Sequence, residues 1–153
     1  MTRRLTCVGL LVLCLFGSPS WSTGADEVAL VLVAGSKTRI SRLSAHELRR
    51  VFLGLPVQVD GQNVRALLNT SDPLLTEIFL QKVVFMSARH YNRQLLSQTF
   101  RTGRRRPPRF KNREALVEAL QSNRGAVAVI WEREAKEYDT IKIIQPIWRG
   151  RLR

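Results

Sequence analysis

The sequence predicts an α/β fold in which a mixed sheet is flanked by helices. Stretches with the pattern of strands alternate with stretches with the pattern of helices, which is typical of layered α/β domains. One helix has a clear start at Ser44, and a tight turn at Asp60-Gly61 separates it from the next strand. The chain has 153 residues, which is room for one such domain.

Residues 1–25 have the composition of a secretory signal peptide. Arg3 and Arg4 form a basic start, an apolar run extends from Leu5 to Phe16, and small residues follow up to Ala25. The apolar run has twelve residues, which is too short to cross a bilayer comfortably. We therefore expect an exported protein with no transmembrane span once the signal is removed. Both cysteines lie within the signal, so the exported domain would fold without a disulfide.

The chain is strongly basic, with a formal net charge of +13. Removal of Arg3 and Arg4 with the signal would leave a charge of about +11. Such a charge attracts anionic partners over long distances. For an exported protein these are small anions such as phosphate, anionic envelope components or acidic proteins, whereas export makes nucleic acid an unlikely partner.

The first half of the predicted domain alternates strand, helix and strand. The apolar run from Val28 to Val33 predicts a buried strand. Ser44 and Glu47 have the spacing of a capping box, which predicts a helix that ends near Gly54 in a left-handed residue. After the Asp60-Gly61 turn, the residues from Val64 to Leu68 predict a second strand.

The second half is predicted to hold three helices. Asp72 and Pro73 suit the cap and first position of a helix whose apolar residues recur up to Met86. Ser87 caps the next helix, which ends near Phe100 to Gly103. That helix is predicted to turn Tyr91, Leu95 and also Leu96 inward, and Asn112 is predicted to cap a helix with Leu116, Ala119 and Leu120 on its apolar face.

Two more strands and a basic tail complete the predicted domain. Ala126 to Trp131 is a third strand and Ile141 to Ile147 a fourth. The domain then spans residues 26–147. The tail, residues 148–153, is basic and predicted to fray.

Three segments of the chain resemble the phosphate-type periplasmic solute-binding proteins, in particular their short, single-lobe members. The first is LSAHELRRVFLG, residues 43–54, followed by DGQNV, residues 60–64. The second joins Phe100–Gly103 to Pro107-Pro108, and the third is NRGAVAV, residues 123–129. The resemblance covers residues 28–144. It implies one lobe of a type 2 periplasmic binding protein that serves as the phosphate-binding component of an ABC transporter, with no catalytic activity and no cofactor.

The loop Asn69-Thr70-Ser71-Asp72 is the candidate ligand site, because it joins a strand to the start of a helix. Backbone N–H groups and the helix dipole favour anions at such a place. The resemblance implies a phosphate loop of the form R-x-D-x-S-G-T here, but Asn69 stands in the place of the Arg and no Ser-Gly-Thr follows. Simple capping of the helix by Asp72 is the alternative interpretation.

A second candidate site is a basic stretch, residues 101–113, interpreted as one stiff loop around Pro107-Pro108. Guanidinium groups bind phosphate and carboxylate with two hydrogen bonds, so this loop could dock an anionic partner. The alternative is a solvated loop that serves solubility. Its seven basic residues are Arg101, Arg104, Arg105, Arg106, Arg109, Lys111 and Arg113.

No pattern in the sequence predicts catalysis or metal binding. His46 and His90 are far apart, with no set of three or four ligands beside them. No nucleophile motif or phosphate-cradling glycine loop is present in the predicted domain. The acidic residues between Glu132 and Asp139 alternate with basic ones and are interpreted as a solvated, charge-paired surface.

Two functional hypotheses follow from these patterns. In the first, the protein binds a small anion at the loop around Thr70 and Ser71. In the second, it is an interaction module that kept the fold, lost the ligand site and docks an acidic protein or envelope surface through the basic stretch.

Overall fold

The computed structural model describes residues 27–151. The predicted signal peptide, residues 1–25, lies outside the described residues. The described helices are α1 (Ala45–Phe52), α2 (Pro73–Phe79), α3 (Ala88–Thr102), α4 (Arg113–Ser122) and α5 (Glu132–Ala135). The described strands are β1 (Glu27–Gly35), β2 (Gln58–Val59), β3 (Gln62–Asn63), β4 (Arg65–Ala66), β5 (Leu68–Asn69), β6 (Arg109–Phe110), β7 (Ala126–Trp131) and β8 (Ile141–Arg151).

A four-stranded mixed sheet forms the centre, with the strand order β4-β7-β1-β8. The strand β1 pairs antiparallel with β7 on one side, where Leu30 faces Trp131, and antiparallel with β8 on the other. The short β4 pairs parallel with β7, where Arg65 faces Ala126. Helices cover the sheet, so the predicted α/β class with a mixed sheet and flanking helices is confirmed.

The strand β1 is buried on both faces, because alternate residues serve two separate cores. Leu30 and Leu32 belong to the core under α1, α2 and α3, whereas Val31 and Val33 belong to the core under α4. A sheet covered on both faces requires a continuous apolar strand rather than an alternating one. This explains why the run that begins at Val28 contains no polar residue before Gly35.

Several local predictions of the first half are confirmed. The Ser44 side chain accepts a hydrogen bond from the Glu47 N–H at 3.2 Å, and the Glu47 carboxylate accepts one from the Ser44 N–H at 2.8 Å. Asp60 and Gly61 have φ angles of 51° and 74°, as a tight turn between β2 and β3 requires. Gly54, just past the end of α1, also has a positive φ, of 75°.

Replacing Ser44 by alanine should lower the free energy of unfolding by about 1 kcal/mol, the usual value of an N-cap side chain. Urea denaturation monitored by circular dichroism would measure this loss. Ser97→Ala is the matched control, because Ser97 is an exposed residue in the interior of α3 and alanine favours a helix there. An equal loss in both variants would contradict a role for the capping box.

Three predictions about the ends of elements are wrong. The residues from Val64 to Leu68 do not form one strand, because β4 joins the central sheet and β5 pairs parallel with β6 instead. The helix predicted to run on to Met86 ends as α2 and continues as a π-helical segment, Leu80–Val84, which stops at Phe85 with a φ of 54°. The tail does not fray over its first part, because Trp148 pairs with Leu30 within β8.

The prediction that Leu96 turns inward is also wrong. Tyr91 and Leu95 are buried on α3 as predicted, but Leu96 is 38% exposed. Leu96 follows Leu95 by one residue, which rotates it by about 100° around the helix axis and away from the buried face.

Candidate functional site

The polar groups of the loop Asn69-Thr70-Ser71-Asp72 bond to one another and to the strand β6. The Asn69 side chain is buried, and its carbonyl oxygen accepts hydrogen bonds from the Ser71 N–H at 3.1 Å and the Ser71 hydroxyl at 2.7 Å. The Thr70 N–H and hydroxyl both donate to the Phe110 carbonyl, at 2.8 and 3.0 Å. These donors, which an anion would need, already have partners.

Asp72 caps α2, as the alternative interpretation predicted. Its carboxylate accepts from the N–H groups of Leu74 and Leu75 at 2.8 and 3.3 Å and from the Trp131 indole at 2.7 Å. Partial burial raises the pKa of Asp72, but the bonds from Trp131, Leu75 and Leu74 outweigh it and hold the pKa below its usual value. Asp72 is therefore a carboxylate at neutral pH, and it repels a second anion at this helix start.

A small cavity of about 110 Å³ lies between β5 and α3. Thr70 and Arg109 both line it, so the structure brings together one residue from each predicted site. The Arg109 guanidinium donates to the side-chain oxygen of Asn92 on α3. Most of the remaining lining is apolar, and this cavity therefore offers an anion little beyond Arg109.

The basic stretch is not one loop, which corrects the sequence interpretation. Arg101 belongs to the last turn of α3, Arg109 belongs to β6, and Arg113 is the first residue of α4. Strand pairing of Leu68 with Arg109 holds this part of the chain on the body of the domain. Only residues 103–108 run as a loop between α3 and β6.

Arg113 is engaged inside the protein and is not a free docking residue. Its guanidinium contacts the carboxylates of Glu134 at 2.8 Å and Glu137 at 3.3 Å. Glu134 is buried, so the interpretation of this acidic cluster as wholly solvated is wrong. Burial raises the pKa of Glu134, and the Arg113 charge offsets part of that rise.

The three consecutive arginines, Arg104, Arg105 and Arg106, line a groove of about 560 Å³. We call it the arginine groove. Its other walls are the loop from Gly54 to Val57 after α1 and the segment around β4. Asn123 at the end of α4 closes one side.

None of the described residues that line the arginine groove is acidic. Its polar side chains are those of four arginines, Arg104–Arg106 and Arg65, and of two asparagines, Asn63 and Asn123. Guanidinium and amide N–H groups are all donors suited to phosphate or carboxylate oxygens. The groove is therefore chemically complementary to an anion.

Arg65 is not among the site residues predicted from the sequence. The signal was present, because Arg65 is exposed between the buried residues Val64 and Ala66. Alternation of this kind turns the middle side chain away from the core. No pattern in the sequence indicates that residues 54–57 line the groove, because only the packing of their loop brings them there.

Two further findings limit the chemistry of the described residues, 27–151. No group of three or more His, Cys, Asp or Glu side chains in this range could hold a metal ion. No helix in this range is both long and apolar enough to cross a membrane.

No protein-family model matches the sequence, and no curated protein is similar to it in sequence. Among solved structures, the chain is similar to PstS from Borrelia burgdorferi, with a TM-score of 0.56 and 13% sequence identity. The similarity covers 78% of this chain and 47% of PstS, so the chain spans about half the length of that protein. At this identity the likeness concerns the fold alone, and it shows that the α/β fold of this chain is similar to that of about half of PstS.

Proposed function

We propose that the protein is an exported, non-catalytic binding protein that holds phosphate or another small anion in the arginine groove. The observation that carries the proposal is the convergence of Arg65 and Arg104–Arg106 on one groove without an acidic lining residue. The volume of about 560 Å³ is within the range of ligand pockets and has room for a phosphorylated compound. PstS, the structural neighbour, is a phosphate-binding protein, which supports this choice of ligand class.

The loop Asn69-Thr70-Ser71-Asp72 remains the competing location for the anion. Its resemblance to a phosphate loop favours it, but its hydroxyl groups and N–H groups are bonded internally. Binding there would require these bonds to break while Asp72 stays ionised. The four arginines of the arginine groove require no such rearrangement, since Arg65 and Arg104–Arg106 are exposed.

Addition of phosphate should raise the melting temperature of the exported protein at fixed ionic strength, and sulfate or chloride should raise it less. A ligand at one hundred times its dissociation constant stabilises the folded state by about 2.7 kcal/mol, equivalent to several degrees for a domain of this size. Thermal-shift titration would measure the effect, and isothermal titration calorimetry would give the affinity.

Two variants locate the site. The triple variant Arg104→Gln, Arg105→Gln and Arg106→Gln should abolish the phosphate-dependent shift, and Thr70→Ala with Ser71→Ala should preserve it. The matched control removes three exposed cations that do not line the groove, by Lys37→Gln, Arg39→Gln and Arg42→Gln. The opposite pattern would place the anion at the loop, and equal shifts with every anion would refute a specific small-anion site.

Docking of an acidic protein through the same arginines is a second candidate function. The observation that favours it is the exposure of three consecutive arginines, Arg104–Arg106, on the loop between α3 and β6. In this case an acidic peptide such as polyglutamate would bind with a steep dependence on salt, whereas phosphate would give no specific shift.

A further inference from the structure

The outward face of α3 carries an apolar stripe between arginines. Arg89, Arg93, Leu96 and Phe100 recur at helical spacing and fall within about 60° of arc around the helix axis. Phe100 is 81% exposed and Leu96 is 38% exposed. Exposed large apolar side chains in a row on one helix face mark an interaction surface more often than chance.

The opposite face of α3 holds the helix in place. Tyr91 and Leu95 are buried there, and the Tyr91 hydroxyl donates to the Phe52 carbonyl at 2.6 Å. The Tyr91 ring also contacts the Phe79 ring, with centroids 5.9 Å apart. The outward stripe is thus fixed in orientation by a packed inner face and is displayed on a rigid element.

The sequence around this stripe carries charge of a single sign. No acidic residue occurs between Glu77 and Glu114, while ten basic residues do. Arg101 lies one position beyond Phe100 in the last turn of α3, and Arg89 and Arg93 lie within the stripe itself. The ten are Lys82, Arg89, Arg93, Arg101, Arg104, Arg105, Arg106, Arg109, Lys111 and Arg113.

We infer that the outward face of α3 docks the protein on the surface of an anionic phospholipid membrane. Phe100 and Leu96 would enter the boundary between headgroups and acyl chains, and Arg89, Arg93 and Arg101 would contact the headgroup phosphates. Interfacial helices combine apolar residues with basic residues in this way. Each cation near an anionic lipid surface adds to the attraction.

A lipid surface fits this face better than an acidic protein does. A partner must cover apolar side chains that have guanidinium groups on both sides, and a headgroup layer is anionic and apolar along its whole extent. None of the residues of this face lines a described cavity that could receive a partner side chain. None of the five residues lines the arginine groove, so this inference and the proposed function can fail separately.

The exported protein should co-sediment with vesicles of phosphatidylcholine that contain phosphatidylglycerol, and not with vesicles of phosphatidylcholine alone. The double variant Leu96→Ala, Phe100→Ala should weaken vesicle binding about tenfold, because it removes apolar area that would be partly buried in the membrane. Leu74→Ala is the matched control, because Leu74 is 39% exposed but lies on α2. Both variants should fold and lose a similar, small amount of stability, since Leu96 and Leu74 are exposed to a similar extent, 38% and 39%.

A second readout places the contact at Phe100 itself. The emission of Phe100→Trp should shift to the blue when the anionic vesicles are added and should not shift with polyglutamate or free phosphate. Arg89→Gln with Arg93→Gln and Arg101→Gln should abolish the shift. Unchanged emission with vesicles, or vesicle binding that Leu96→Ala and Phe100→Ala leave intact, would overturn the inference, and a shift with polyglutamate alone would assign the face to a protein partner.

Discussion

Replacing Gly125 by alanine should destabilise the domain by about 3 kcal/mol or more, because two costs add at this position. Gly125 has a φ of 84°, a conformation that side chains with a Cβ rarely adopt. A Cβ there would also come closer than 3.0 Å to the carbonyl oxygen of Asn63. The Asn63 carbonyl and the Cα of residue 125 both belong to the backbone, so neither can move away without disturbing the pairing of β4 with β7.

Alanine substitutions at two other glycines measure the cost of the positive φ and the cost of the close contact separately. Gly61 has a φ of 74° but open space around it, so Gly61→Ala should lose only about 1 kcal/mol for the conformation. Gly35 lacks the positive φ, but its Cβ would meet the Leu120 carbonyl, so Gly35→Ala reports the contact alone. Urea denaturation would rank the variants. If Gly125→Ala were no worse than Gly61→Ala, the close approach of Asn63 would not constrain the fold.

The close approach at Gly125 also bears on the proposed site. The Gly125 carbonyl accepts a hydrogen bond from the Arg65 N–H at 2.9 Å, which holds β4 beside β7. Arg65 and Asn63 line the arginine groove from this segment. Any Gly125→Ala protein that still folds should therefore bind phosphate more weakly, while Gly61→Ala should bind normally.

The starts of the helices could be predicted because their signals are local. Ser44, Asp72, Ser87 and Asn112 all accept hydrogen bonds from backbone N–H groups two or three residues along the chain. These bonds form within one turn, so the residue type and spacing are sufficient to identify them. The glycine of the turn at Asp60-Gly61 is predictable for the same reason.

Two of the errors concern contacts between residues that are distant in sequence. Arg113 was assigned to a free basic loop, but its guanidinium contacts Glu134, 21 residues later. Trp148 was assigned to a frayed tail, although it pairs with Leu30 at the other end of the chain. Charge and composition alone do not identify such partners, since tertiary packing selects them.

The candidate site shows the same difference between local signals, which the sequence reveals, and contacts between distant residues, which it does not. The residues of the arginine groove come from four separate segments, of which only residues 104–106 were singled out by their composition. The loop at Thr70 was singled out by its place between a strand and a helix, but its neighbours β6 and Trp131 decide what its polar groups can bind. A resemblance in sequence locates the loop and does not report these bonds.

Replacing Arg113 by methionine should lower the free energy of unfolding by about 2–3 kcal/mol at pH 7. The change leaves the Glu134 carboxylate, whose side chain is 10% exposed, without its partner. Loss of one member of a fully buried ion pair costs about 3–5 kcal/mol. We expect a smaller loss for Arg113→Met because the Arg113 side chain is 33% exposed, and solvent screens its charge. The loss would be measured by urea denaturation.

A surface ion pair on the neighbouring helix is the matched control. Lys136 contacts Glu132 at 3.1 Å, but its side chain is 65% exposed. Lys136→Met should therefore cost less than about 0.5 kcal/mol. Adding Glu134→Gln to the Arg113→Met protein should restore most of the lost stability, since a neutral amide has no charge to leave unpaired.

The loss caused by Arg113→Met should depend on pH, because burial already raises the pKa of Glu134. A carboxyl whose folded-state pKa is raised gives its full stabilisation below the unfolded pKa and loses it as the pH rises through the folded pKa. Removal of the Arg113 charge raises the folded-state pKa further, so the variant should approach the wild type in acid and diverge from it towards neutral pH. Glu134→Gln should remove that divergence. A loss that is equal at both ends of the pH range would mean that Arg113 stabilises the start of α4 by packing. Its ion pair with Glu134 would then not be what keeps Arg113 from an anionic partner.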